Sequence, residues 1–165
     1  MKSRLQIAGH PIHVMTVGVP IGLYTAAFVA DALYVLVHDA FWYRMAFWCI
    51  ALGLLGNLGA VLTGLPDFFA IKKNVPTAWN AATTHLVIGL GLVLLYVINF
   101  ALHNWGDPLA GGDSLLPFIL SLVGVGLLGL QGWYGGELVF RHKVGVEDAA
   151  ADATHDGPQK RKGAH

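Results

Sequence analysis

One cysteine, Cys49, is all the chain contains. An intrachain disulfide, a cysteine-ligated iron–sulfur cluster and a c-type haem attachment are therefore not encoded. Charge is scarce too. Asp, Glu, Lys and Arg make up 12% of the residues, about half the share in an ordinary soluble domain. Ten basic and ten acidic residues cancel, which removes the electrostatic case for a nucleic-acid partner. Missing as well are an HExxH helix, which would anchor a metallohydrolase, and a glycine-rich loop after a strand, which would cradle a nucleotide.

Apolar residues take the place of what is missing: 55% of the 165 positions are hydrophobic, and 21 are glycine. A soluble chain this short has too much surface for its volume to hide that much apolar area, and lipid contact removes the need. Four apolar runs, 14–37, 43–65, 81–102 and 115–134, each approach the roughly 20 residues that cross a hydrocarbon core of about 30 Å. Backbone groups in lipid must be satisfied within the protein, so helices are expected; the short alternating segments of a β-barrel are absent. The first run is too long for a signal-peptide core and lacks a small-residue cleavage site. The fold class is all-α: an integral membrane four-helix antiparallel bundle over residues 1–146. A polar, unpatterned tail, 147–165, is expected to be disordered.

Lys2, Arg4, Lys72, Lys73, Arg141 and Lys143 fall on the side that holds both termini and a loop expected at 66–80, together with the tail's Lys160, Arg161 and Lys162. Arg44 is alone on the other side. The positive-inside rule then puts both termini in the cytoplasm, in a multi-pass protein of the bacterial inner membrane. Trp42, Tyr43, Trp48 and Trp105 form an outer aromatic belt, with Trp79 and Trp133 near the inner boundary. Small residues recur four apart, as in Gly18 and Gly22, or Gly56, Ala60 and Gly64. Such stripes allow close helix approach and make a homodimer plausible, with membrane lipid as the other partner. Pro20 is expected to kink the first helix, and Cys49 to act as a small buried hydrophobe.

Four antiparallel crossings bring the start of the first and third helices to the level of the end of the second and fourth. His10, His13, Asp67, His85, Glu137, Arg141 and His142 lie at those ends. Ionisable groups at membrane depth are costly and mark sites. His10 and His13 share a helix face if the helix starts near Pro11, and Gly89 leaves a groove one turn beyond His85. Glu137 has Arg141 four residues on, so a simple ion pair is the competing reading. His38 and His103, at the outer edge, read as surface residues; His155 and His165 belong to the tail. Asn57 reads as an interhelical hydrogen bonder, and Asp31 as a cap on a polar network or a proton carrier.

The segments GHPIHVMTVGVPIGL (9–23), GLPDF (64–68) and GWYGGELVFRHKVGV (132–146), with Asp31 and His85, resemble the family of predicted membrane proteins called domain of unknown function 2231. The resemblance covers nearly the whole chain except the tail. In the family a second proline often follows the second histidine, where this chain has Val14. The resemblance implies a bacterial four-helix membrane protein without settled chemistry. Some relatives are similar to fusions or neighbours of redox modules such as Rieske-type domains. It also implies that His10, His13, Asp67, His85, Gly135, Gly136, Glu137 and His142 are the residues to watch.

Three functions fit. The first is a b-type haem site for electron transfer near the cytoplasmic side, with a redox partner protein. Its axial ligands would be His13 with His85, or His10 with His142, and Arg141 or Lys143 would meet the propionates. The second is a non-haem zinc, copper or iron site, with imidazoles from His10, His13, His85 and His142 and a carboxylate from Asp67 or Glu137. The third is a structural or accessory membrane subunit whose histidines are only hydrogen-bonded. Whether the chain is an enzyme stays open.

Overall fold

A computed structural model describes residues 1–105 and 115–146. The expected tail at 147–165, and most of the turn expected between the third and fourth spans, lie outside the described residues. Five helices follow a short N-terminal hairpin: α1 (Ile12–Thr16), α2 (Gly18–Val37), α3 (Ala40–Asn74), α4 (Trp79–Trp105) and α5 (Leu115–Gly136). Together they form four apolar crossings, Ile12–Val37, Ala40–Asn74, Pro76–His103 and Leu115–Arg141, each long enough to span a membrane. Their outward faces carry exposed Leu36, Leu55, Leu62 and Phe140, a composition that suits lipid and not water.

Local chemistry explains the ends. Strands β1 (Gln6–Ile7) and β2 (His10–Pro11) pair antiparallel and lay the N-terminus across the end of the bundle that also holds Gly145; this end is labelled inner and the opposite end outer, as labels only. Pro20 sits in the first turn of α2, where a missing N–H costs nothing. The expected kink is instead a break at Val17, between α1 and α2. Asp39 caps α3 by accepting from the Phe41 amide at 2.8 Å. The loop expected at 66–80 is not one. Helix α3 continues through Pro66 to Asn74, and Pro76–Ala78 forms a 3-10 turn. Packing overrides the proline here, because Ile71 and Phe68 join a buried cluster with Ala78, Ala82, Leu138 and Val144.

The four crossings are two helical hairpins of like construction. His85 follows His13 by 72 residues, as Tyr96 follows Tyr24, Phe100 follows Phe28 and His103 follows Asp31. In the second helix of each hairpin the offset is 71, relating Phe47 to Phe118, Gly53 to Gly124 and Gly64 to Gly135. Counterparts meet. Tyr24 stacks on Tyr96 with centroids 3.6 Å apart and planes 3° from parallel. Phe28 packs on Phe118 at 5.8 Å, and its counterpart Phe100 packs on Phe47 at 4.8 Å. Such reciprocal contacts are the mark of an isologous interface, here within one chain. Self-paired residues define its central line: His13 and His85 at the inner end, the two tyrosines in the middle, Asp31 and His103 at the outer end.

Candidate functional site

His13 enters from α1 and His85 from α4, and each is held by the second helix of a hairpin. His13 Nδ1 bonds the Ala60 carbonyl at 2.8 Å. His85 Nδ1 bonds the Gln131 carbonyl at 3.1 Å. Ala60 and Gln131 are themselves counterparts, 71 residues apart. A carbonyl only accepts, so each Nδ1 carries the hydrogen and each Nε2 presents a lone pair. Four residues past each carbonyl, a glycine makes room for the ring. A Cβ on Gly64 would come within 2.8 Å of His13, and one on Gly135 within 3.2 Å of His85.

The two rings lie 6.4 Å apart between centroids, with planes at 82°. A bound metal sits about 2 Å from an imidazole nitrogen. The two rings therefore stand close enough for one bound group to reach both, provided the Gln131 amide leaves His85 Nε2. Around them is a cavity of about 420 Å³, lined among others by His13, Tyr24, Gly64, His85, Gly89 and Gly135. That volume lies within the roughly 300–1,000 Å³ of small-molecule and cofactor sites. Two polar atoms of its lining residues, Tyr24 Oη and Gln131 Oε1, are buried without a hydrogen-bond partner.

The other expected site residues are arranged differently. Asp67 faces the hairpin, accepting from Ser3 Oγ at 2.6 Å and from the Arg4 amide at 2.5 Å. It ties the N-terminus to α3. His10 is exposed, with Nδ1 on the Ala8 carbonyl at 3.0 Å. Glu137 pairs with Arg141 at 3.0 Å and lies 3.9 Å from His142. Glu137 and Arg141 begin and end a π-turn, Glu137–Arg141, that follows Gly136 and has His142 as its C-cap; such wider winding is common beside functional sites. Among the described residues, no group of three or more His, Cys, Asp and Glu side chains converges as a metal site.

Two features were not expected. Gln131 reaches over Gly89, and its Nε2 approaches His85 Nε2 at 3.2 Å. The groove expected at Gly89 therefore holds an amide that caps the lone pair of His85. His103, expected at the surface, is 2% exposed and bonds Asp31 at 2.8 Å. Spacing could have revealed it. His85, Gly89, Leu92, Tyr96, Asn99 and His103 follow one another by four or three residues, the inward stripe of one helix.

A family model described as predicted membrane protein, domain of unknown function 2231, matches residues 9–148. The chain belongs to this family. The match begins at Gly9, just ahead of His10 and His13, and runs past the π-turn, so it includes both imidazoles of the cavity and the helices that hold them. No curated protein and no solved structure matches the chain. Membership of the domain of unknown function 2231 family accordingly establishes a membrane protein and leaves its chemistry to be read from the site.

Proposed function

We propose that the chain is a membrane-embedded electron-transfer protein that binds one haem b, with His13 and His85 as axial ligands. The observation that carries the reading is the pair of carbonyl-tethered imidazoles, 6.4 Å apart, in an apolar cavity. Among the described residues two imidazoles converge, and haem would need only two because the porphyrin would supply the other four. A non-haem zinc, copper or iron centre would call on Asp67 or Glu137; Asp67 lines the cavity but its oxygens accept from Ser3 and the Arg4 amide, and Glu137 pairs with Arg141. Bound haem would supply one-electron chemistry. His13 and His85 would fix its orientation, Gly64 and Gly135 would let the rings seat, and the apolar walls would exclude water.

The haem would lie near the cytoplasmic face, in the inner membrane, with both termini inside. Support for this orientation comes from Lys2, Arg4, Lys72, Lys73, Arg141 and Lys143 at one end of the bundle. Arg141 is solvent-facing there and would reach the propionates on leaving Glu137. A redox protein at that face is the proposed partner, with a homodimer as the proposed assembly.

The test is spectroscopic. Full-length protein purified in mild detergent and supplied with haemin should show one haem per chain and a Soret band that shifts on reduction. His13→Ala and His85→Ala should each abolish the six-coordinate spectrum, whereas His10→Ala and His142→Ala should keep it. Stoichiometric zinc, copper or iron without a Soret band would replace this reading with a metal site. A colourless, metal-free protein after supplementation would leave a structural role.

A further inference from the structure

Four residues from three helices close a ring at the outer end of the bundle. Asn99 Nδ2 donates to Ser121 Oγ at 2.8 Å, and Ser121 Oγ donates to Asp31 Oδ2 at 2.5 Å. Asp31 Oδ1 meets His103 Nε2 at 2.8 Å, and His103 Nδ1 returns to the Asn99 carbonyl at 2.9 Å. All four residues are buried. The Asn99 amide cannot be reversed, because its nitrogen also faces the Pro117 carbonyl at 3.3 Å.

Counting hydrogens fixes the rest. The Asn99 carbonyl only accepts, so His103 Nδ1 carries a hydrogen. Ser121 gives its own hydrogen to Oδ2. The contact between Oδ1 and Nε2 therefore needs one further proton, on either atom. With it the pair is neutral overall. Without it a carboxylate faces an imidazole lone pair at membrane depth, an anion with nothing to balance it.

We propose that Asp31 and His103 form a proton-binding site in the outer half of the bundle, taking up and releasing one proton per chain. Two observations and one physical argument favour a working site over a mere clamp. The other self-paired positions hold identical residues, His with His and Tyr with Tyr, and here alone among those three they differ. A well-packed apolar pair would be at least as stable as a buried acid and base. Asn99 Oδ1 is buried beside the pair with no hydrogen-bond donor, a landing point for water or hydronium.

His103 lies two residues before the end of α4. From α3, Tyr43 covers the imidazole with ring centroids 4.7 Å apart and donates to the His103 carbonyl at 3.2 Å. The titratable groups facing the pair are Tyr43 and Cys49 from α3 and Tyr96 from α4, with Tyr34 of α2 behind Tyr43. From α5 the facing polar group is Ser121. Among the described residues none of these is a cation, and the proton itself is the counter-charge there. The site stands whatever fills the inner cavity.

The experiment uses full-length protein in lipid nanodiscs with nitrogen-15 histidine, His103 being assigned through His103→Gln. Raising the pH should move the His103 Nε2 resonance and the Asp31 carboxyl infrared band over one shared interval. Back-titration should release one proton more per chain from the wild type than from Asp31→Asn or His103→Gln. Ser121→Ala leaves both partners in place and should keep the one-proton step. Should the single variants fail to fold, the shift that Ser121→Ala causes assigns the His103 signal, and the wild-type spectra then decide. Signals that stay constant over the whole pH range of the folded protein would overturn the proposal. So would a transition that follows sodium or potassium concentration, which would make this a metal-cation site.

Discussion

The inner and outer ends of the central line solve one geometric problem in opposite ways. At each end, counterpart residues of two similar hairpins face each other across the interface. The inner end pairs identical residues, His13 and His85, and identical imidazoles held by Nδ1 cannot satisfy one another. Each is tied to a backbone carbonyl; His13 keeps a lone pair for something else, and that of His85 is met by the Gln131 amide, a side chain that a ligand would have to displace. The outer end pairs unlike residues, Asp31 and His103, which close on one another and leave no cavity between them. Like pairs across an interface leave capacity for a ligand; complementary pairs consume it. Between them, at about 16 Å from His85 and 10 Å from His103 along α4, the stacked tyrosines separate the two environments.

Removing one member of each pair should break the contrast most sharply. His13→Ala or His85→Ala should weaken haem binding by about 100-fold or more, since even outer partners of metal ligands are worth roughly 10–100-fold; haemin titration followed at the Soret band measures this. Asp31→Leu should cost the haem-free fold about 3–5 kcal/mol, because it leaves a buried imidazole without its partner. His13→Leu should cost the same fold far less, as it only frees the Ala60 carbonyl. Chemical denaturation of both variants in the same detergent decides whether the ends differ in this sense; equal losses would refute it.

Acidification should separate the ends next. Ligating nitrogens must be unprotonated, so protons would compete with the proposed haem iron at His13 and His85, and haem should dissociate as pH falls. The sign is fixed by the tautomers, and a haem affinity that rose on acidification would exclude imidazole ligation. Smaller effects follow from the glycines. Gly64→Ala should disturb haem binding more than Gly135→Ala, because its methyl meets the His13 ring at 2.8 Å against 3.2 Å for His85; the two Soret spectra compared under one protocol show it. The smallest effect should come from Gln131→Leu. Losing the amide that caps His85 Nε2 should raise the haem association rate a few-fold, read by stopped-flow mixing, with the axial ligation unchanged.

Composition and run length alone determined the four crossings, the helical class and the level at which His13 and His85 would meet. These are one-dimensional properties: a helix that spans lipid has a length, and antiparallel order assigns each end a side. What fills the other positions is decided in three dimensions. The sequence could not say that Asp67 would be spent on Ser3 and Arg4, since the hairpin that brings them has only two residues in each strand. Nor could it say that helix α3 would run on through Pro66, because the apolar surface that stabilises its last turns comes from Leu138 and Val144, far along the chain. The constant offset of 71 or 72 residues was present throughout, yet leucine, valine and glycine recur so often that seven matched positions do not stand out. Only the packed bundle, by placing Tyr24 on Tyr96 and Asp31 on His103, separates the pairs that matter from the apolar background. The reason is that contacts across a twofold-like interface are set by which faces the helices turn inward, and α2 to α5 turn them only when all four pack together.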